Sequence, residues 1–261
     1  MAPVSTHRGA GTAPAGTAQQ ARSFGQVAAD YDRVRPGFRA EVVRWALGPA
    51  PVGVVDLGAG TGALTRALRA QGHSVRAVEP DLQMLARLVA RSPEVTALEG
   101  TGEAMPLPDA SVDAVLVAQA WHWMDHRAAS CEIARVLRPS GCLVLLWNVR
   151  DLAAPLAAAI RRAVVRHAPD LAARARADGH GQDAEVPDAR FSPDGSTSAD
   201  SSMRLGVRDL LTLVATWSYV ALSPARDAIL TEVEKAARVA ADTDGSVVLS
   251  QHVEAHRFRR A

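Results

Sequence analysis

The chain has 261 residues, 48% of them hydrophobic and 22% charged, with a formal net charge of +1. That composition excludes a wholly disordered chain and any broad electrostatic hold on nucleic acid. The longest clean apolar run, Cys142 to Trp147, is far short of the roughly 20 residues that span a bilayer, and the N-terminus lacks the apolar core of a signal peptide. Two cysteines, Cys131 and Cys142, and eight histidines form no metal spacing. The expectation is a cytoplasmic protein with no metal and no membrane span. The basic residues are 28 Arg and one Lys, Lys235, matched by 28 acids, which reads as solvated surface.

In chain order, residues 1–22 are small and polar without periodicity and read as a disordered tail. Residues 23–261 read as one domain, with 23–50 as an N-terminal cap, 51–150 as a ligand-binding core and 151–261 as a C-terminal part. Val52–Leu57 is an apolar run that stops at Gly58, as a buried parallel strand does. Ala63–Ala70 reads as helix, ended by Gly72. Ser74–Glu79 is a second strand, and Asp81 is placed to cap a helix over Leu82–Ala90. Val95–Glu99, Val112–Ala118 and Gly141–Trp147 read as strands three to five, with a helix around His126–Leu137. Leu152–His167 reads as helix. Residues 168 to about 204 are rich in turn formers and are expected to be mobile or poorly ordered. After them, Asp209–Ala215 reads as helix, Trp217–Leu222 as strand, Pro224–Ala241 as helix and Val247–Phe258 as a final strand. Alternating strands and helices with short connections imply an α/β sandwich on a mostly parallel sheet.

The sharpest local feature is Asp56-Leu57-Gly58-Ala59-Gly60-Thr61-Gly62, where the first strand turns into the first helix. Glycines there let a ligand lie against backbone N–H groups. Glu79, ending the second strand, is placed to accept both ribose hydroxyls of a nucleoside. The spacing is G-x-G-x-G rather than the dinucleotide G-x-G-x-x-G, and Asp56 would repel a pyrophosphate. An ammonium-bearing nucleoside without phosphate, S-adenosylmethionine (SAM), suits it better. A nicotinamide-dependent oxidoreductase is disfavoured on the same grounds.

With Phe24-Gly25 through Tyr31 to Arg35-Pro36, Val78-Glu79-Pro80, Gly100-Thr101-Gly102-Glu103-Ala104, Ala118-Gln119-Ala120-Trp121-His122-Trp123, Arg135-Val136-Leu137-Arg138-Pro139 and Leu146-Trp147-Asn148, the chain resembles the class I SAM-dependent methyltransferases. The likeness is to the small-molecule type with an N-terminal helical cap, in a bacterial branch. The resemblance implies a Rossmann-like, doubly wound seven-stranded sheet, mostly parallel with an antiparallel last strand. It implies that Gly58, Ala59 and Gly60 pass the methionine part of SAM, that Asp56 holds its amino end and that Glu79, followed by Pro80, holds the ribose. Thr101, Gly102 and Glu103 frame the adenine, and Gln119 and Ala120 lie along the methionine chain. Tyr31 and Arg35 close the site from the cap.

Methyl transfer from a sulfonium is an in-line displacement that gains most from positioning in a dry pocket. His122 is the candidate general base, needed where the acceptor keeps its proton near neutral pH. Trp121, Trp123 and Asn148 are the candidate substrate contacts. Trp217 and Tyr219 read as core of a sixth strand. The activity expected is methylation of a small molecule such as a carboxylate or phenol, leaving S-adenosylhomocysteine (SAH), by a monomer or homodimer that binds no nucleic acid. The alternative is a nonenzymatic SAM or SAH binder. The last strand carries Leu249-Ser250-Gln251-His252 where relatives with Trp-His-Trp tend to carry a proline and an aromatic, so the acceptor is not inherited from the resemblance.

Overall fold

A computed structural model describes residues 37–169, 188–221 and 223–261. Seven strands form one sheet: β1 (Gly53–Leu57), β2 (Ser74–Glu79), β3 (Thr96–Glu99), β4 (Val112–Ala118), β5 (Leu137–Arg150), β6 (Phe191–Gly206) and β7 (Ser246–Arg260). Their order is β3-β2-β1-β4-β5-β7-β6. The first five are mutually parallel, and β7 runs antiparallel to both β5 and β6. Strand order reverses between β1 and β4, the point where open α/β sheets leave a crevice at their carboxyl ends.

The helices are α1 (Ala40–Leu47), α2 (Ala63–Ala70), α3 (Leu82–Arg91), α4 (His126–Val136), α5 (Pro155–His167), α6 (Val207–Ala215), the single turn α7 (Ser218–Ala221) and α8 (Arg226–Ala240). The central strands are apolar on both sides because both faces are covered. On one face Val115, Val117, Leu143 and Leu145 pack with Ile133 of α4. On the other, Ala114, Leu116, Val144 and Leu146 pack with α1 and α2 through Val42, Val43, Leu64 and Leu68. A further core joins α5, α6, α7 and α8 to the start of β7 through Val247 and Leu249. The Asp81 cap holds as expected, its carboxylate accepting from Gln83 N at 2.9 Å and Met84 N at 3.1 Å.

Two readings of the C-terminal half are corrected. The segment expected to be poorly ordered over 168–204 contains the strand β6, at the sheet edge; its residues 170–187 lie outside the described residues. Ala199, Met203 and Leu205 share the half-buried face with Ser201 and pack on the cores, while Asp200, Ser202 and Arg204 face solvent. The weak apolar signal was masked by serines. Pro193 and Gly195 sit at a bulge near the strand's start, where an edge tolerates them.

The expected strand Trp217–Leu222 is instead the helical turn α7; Leu222 lies outside the described residues. Trp217, Tyr219 and Val220 are all buried, so all-round burial, not sheet alternation, produced the apolar run. Hence the sixth strand is β6, and Trp217 and Tyr219 are not in it. The tail 1–22 and the cap residues Tyr31 and Arg35 also lie outside the described residues. Among the described residues no helix is long and apolar enough to cross a membrane.

Candidate cofactor and acceptor site

The turn after β1 holds Gly58, Gly60 and Gly62 at φ of 69°, 56° and 86°, the left-handed region. Gly58 N and Ala59 N both donate to Val78 O, at 2.8 and 3.2 Å, which ties the turn to β2. A methyl group on Gly58 would stand 2.6 Å from the Ala120 side chain. Glycine is therefore required there both by dihedral and by the close approach of the end of β4.

Glu79 is 5% exposed and acts as a clamp. Its Oε2 accepts from Gly60 N at 2.8 Å, and its Oε1 accepts from Asp81 N at 2.9 Å. Burial pushes its pKa up to about 7 despite the two backbone hydrogen bonds that pull it down. A carboxylate offers about four lone-pair sites, so both oxygens keep capacity for a ligand.

Asp56 is 1% exposed. Its Oδ2 accepts from Thr65 Oγ1 at 2.6 Å, while its Oδ1 is buried with no partner among the described residues. Burial raises its pKa to about 6, against the Thr65 hydrogen bonds and the Arg66 charge. A buried acceptor left unpartnered among the described residues leaves room for a ligand donor. An ammonium, or a water that it orders, supplies one. The donor set thus fits SAM.

The loop after β3 closes on itself: Thr101 and Ala104 exchange backbone hydrogen bonds of 3.2 and 3.3 Å. Gly102 is buried, and a Cβ there would stand 2.5 Å from Met124 Sδ. Glu103 Oε1 accepts from Asp125 N at 2.8 Å, and Asp125 caps α4 by accepting from Ala128 N. Further along, Glu132 accepts from Met105 N at 2.7 Å, and Arg135 donates to Glu132, to Asp109 and to the carbonyls of Leu107 and Met105. Helix α4 therefore fixes the loop that the sequence assigns to the adenine.

After β4, Gln119 takes φ of 57°, a strained value for a side-chain-bearing residue. Gln119 N donates to Leu146 O at 2.9 Å, and its Nε2 donates to Asn148 O at 3.0 Å. These bonds hold the strained residue and join the ends of β4 and β5. Trp121–Trp123 form one 3₁₀ turn. Trp121 is 3% exposed, lies in the core and stacks on His126 at 4.8 Å. Its ring packs in the core, while its Nε1 is buried without a partner among the described residues. His122 and Trp123 are half-buried, with rings 4.7 Å apart. Asn148 is half-buried, and its Oδ1 has no partner.

The structure thus joins the ends of four strands, β1, β2, β4 and β5: Gly58 meets Ala120, Gly60 meets Glu79, and Gln119 meets Asn148. Pro80 lies half-buried between Glu79 and Asp81. Sequence reasoning missed Thr65, the donor to Asp56. The available signal was that a buried acid demands one, and Thr65 lies next to Leu64 on the buried side of α2. It also missed Arg150, which stacks on Trp217 and donates to Tyr219.

Residues 55–145 match the family described as a methyltransferase domain. An uncharacterized methyltransferase of Mycobacterium tuberculosis is 54% identical over 129 residues, 49% of this chain and 53% of the relative. One of Schizosaccharomyces pombe is 37% identical over 139 residues, 51% of this chain and 55% of the relative. The chain spans about half the length of these curated relatives. Among solved structures, a putative type II methyltransferase from Anaeromyxobacter dehalogenans superimposes with a TM-score of 0.63 at 25% identity, covering 86% of this chain and 96% of that one. The glycine turn, its paired acids and these likenesses agree: over residues 55–145 the chain is similar to a methyltransferase domain, and its sheet resembles that of a solved methyltransferase-like protein.

Proposed function

We propose that this protein transfers a methyl group from SAM to a small-molecule acceptor. The observation that carries the reading is the buried Glu79 clamping Gly60 beside Asp56, whose Oδ1 has no donor among the described residues. When bound, SAM supplies an electrophilic methyl carbon on a positively charged sulfur. The acceptor's lone pair forms the new bond to that carbon, the carbon–sulfur bond breaks and its electron pair stays on sulfur.

The chain's residues bind and orient. Gly58, Ala59 and Gly60 line the methionine part, and Asp56 holds the ammonium directly or through water. Glu79 and Pro80 face the ribose, and Thr101, Gly102 and Glu103 frame the adenine. Gln119 and Ala120 run along the methionine chain, with Tyr31 and Arg35 closing from the N-terminal side. Trp123 helps to exclude water from the acceptor side, and Asn148 orients the acceptor through its unpartnered Oδ1. His122 takes the acceptor's proton where one must leave.

Two features support a small molecule over a nucleic acid: the near-zero net charge and the even balance of acids and bases. The test is incubation of the full chain with methyl-labelled SAM and fractionated cell extract. Label in the small-molecule fraction, absent with Glu79→Ala, is expected. Label confined to nucleic acid or protein would contradict the acceptor class.

A further inference from the structure

One face of the sheet, past the end of β4 and along the last residues of β5, carries a polar band between two apolar cores. Register pairs Leu146 with Ala255, Asn148 with Val253 and Arg150 with Gln251, and directly opposed residues share a face. Leu146, Val253 and Ala255 belong to the core beneath α1 and α2. Val247 and Leu249, further back along β7 on the same face, belong to the core of α5 to α8. Asn148, Arg150 and Gln251 stand between these cores.

Polar groups so placed need partners. Gln251 is 6% exposed, yet its Nε2 has none among the described residues, and neither has Asn148 Oδ1. Arg150 is half-buried, and among the described residues it forms no ion pair. Its guanidinium lies 4.1 Å from the Trp217 ring centre, and its Nη2 donates to Tyr219 Oη at 3.1 Å. A guanidinium has five N–H donors in a rigid fork, so most of them stay available. The ring face and the phenol fix the plane of that fork. An uncompensated cation so held is arranged for a carboxylate.

The band also connects to the cofactor end. Asn148 O accepts from Gln119 Nε2, and Gln119 precedes Ala120, which abuts Gly58. We propose that Arg150, with Gln251 beside it, holds a carboxylate of the methyl acceptor, and so selects carboxylate-bearing acceptors. This rests on the methyltransferase reading above.

The test uses full-length protein saturated with SAH. Melting temperatures are read with succinate, glutarate, benzoate and phenylacetate, each beside its neutral amide. At least one acid is expected to raise the melting temperature where its amide does not. Arg150→Met should weaken that acid's binding tenfold or more while leaving SAH binding intact. Arg150→Lys keeps the charge but not the fork, and should retain a reduced preference; it carries the test if the Met variant does not fold. Tyr219→Phe, which leaves the cation on the ring, should lose less than Arg150→Met. Acids and amides acting alike on SAH-bound wild type, or an undiminished acid preference in both Arg150 variants, would overturn the assignment of Arg150 alone. Failure of wild type to bind SAH would overturn the methyltransferase reading, and this one with it.

Discussion

Glu79 and Asp56 are two acids kept in a low-dielectric turn, and their titration ties the fold to its ligand. Burial raises both, to about 7 and about 6. The folded state therefore binds protons more tightly than the unfolded chain does. Stability of the ligand-free protein is then greatest on the acid side and falls as pH rises from the ordinary carboxylate range to about 7. Thermal melts between pH 5 and 8 should show this fall, and Glu79→Gln should flatten it. Ligand affinity should move the other way. An ionised Glu79 is the better acceptor for hydroxyls, so SAH should bind more weakly as pH drops through 7, a trend that calorimetry at several pH values would read. Gly58→Ala meets both a left-handed φ and a 2.6 Å clash with Ala120. It should cost about 1–3 kcal/mol, a drop of several degrees in melting temperature. The acids and glycines were legible in the sequence because their spacing maps onto one turn. Thr65 and Arg150 were not, since their roles arise from neighbours 9 and 69 residues away.

The strands and helices around the site act as clamps as well as supports. Arg135 of α4 binds Glu132 and two loop carbonyls, and it also reaches Asp109, whose side chain is 78% exposed. The exposed pair contributes little, whereas the half-buried bonds hold the loop over residues 101–109. Arg135→Ala should cost about 1–3 kcal/mol and speed hydrogen exchange of that loop's amides, with Asp109→Ala nearly neutral. The equal loss of protection in both variants would refute this division. Elements with strong periodicity were readable: the sequence bounds of α2, β2 and β4 match those observed. β6 was not, because an edge strand needs only one weakly apolar face, and its serines look like a loop. α7 was not, because a fully buried helical turn has no period to show.

At the scale of the whole molecule, the sheet separates two tasks. Its β3-β2-β1-β4 half gathers the glycine turn, both acids and the loop after β3 at one edge. Its β5-β7-β6 half, backed by α5 to α8, brings Asn148, Arg150 and Gln251 to the neighbouring edge. The first half was legible because the cofactor chemistry imposes its residues locally. The second was opaque because its polar band is assembled across β5, β7 and α7, far apart in the chain. The central claim is that Glu79 anchors a SAM-type nucleoside in this turn. Calorimetric titration of SAH into wild type and Glu79→Ala tests it most directly. Saturable binding by wild type, weakened tenfold or more in the variant, is the predicted result; wild type that takes up no SAH, or a Glu79→Ala variant that binds it equally well, would contradict it.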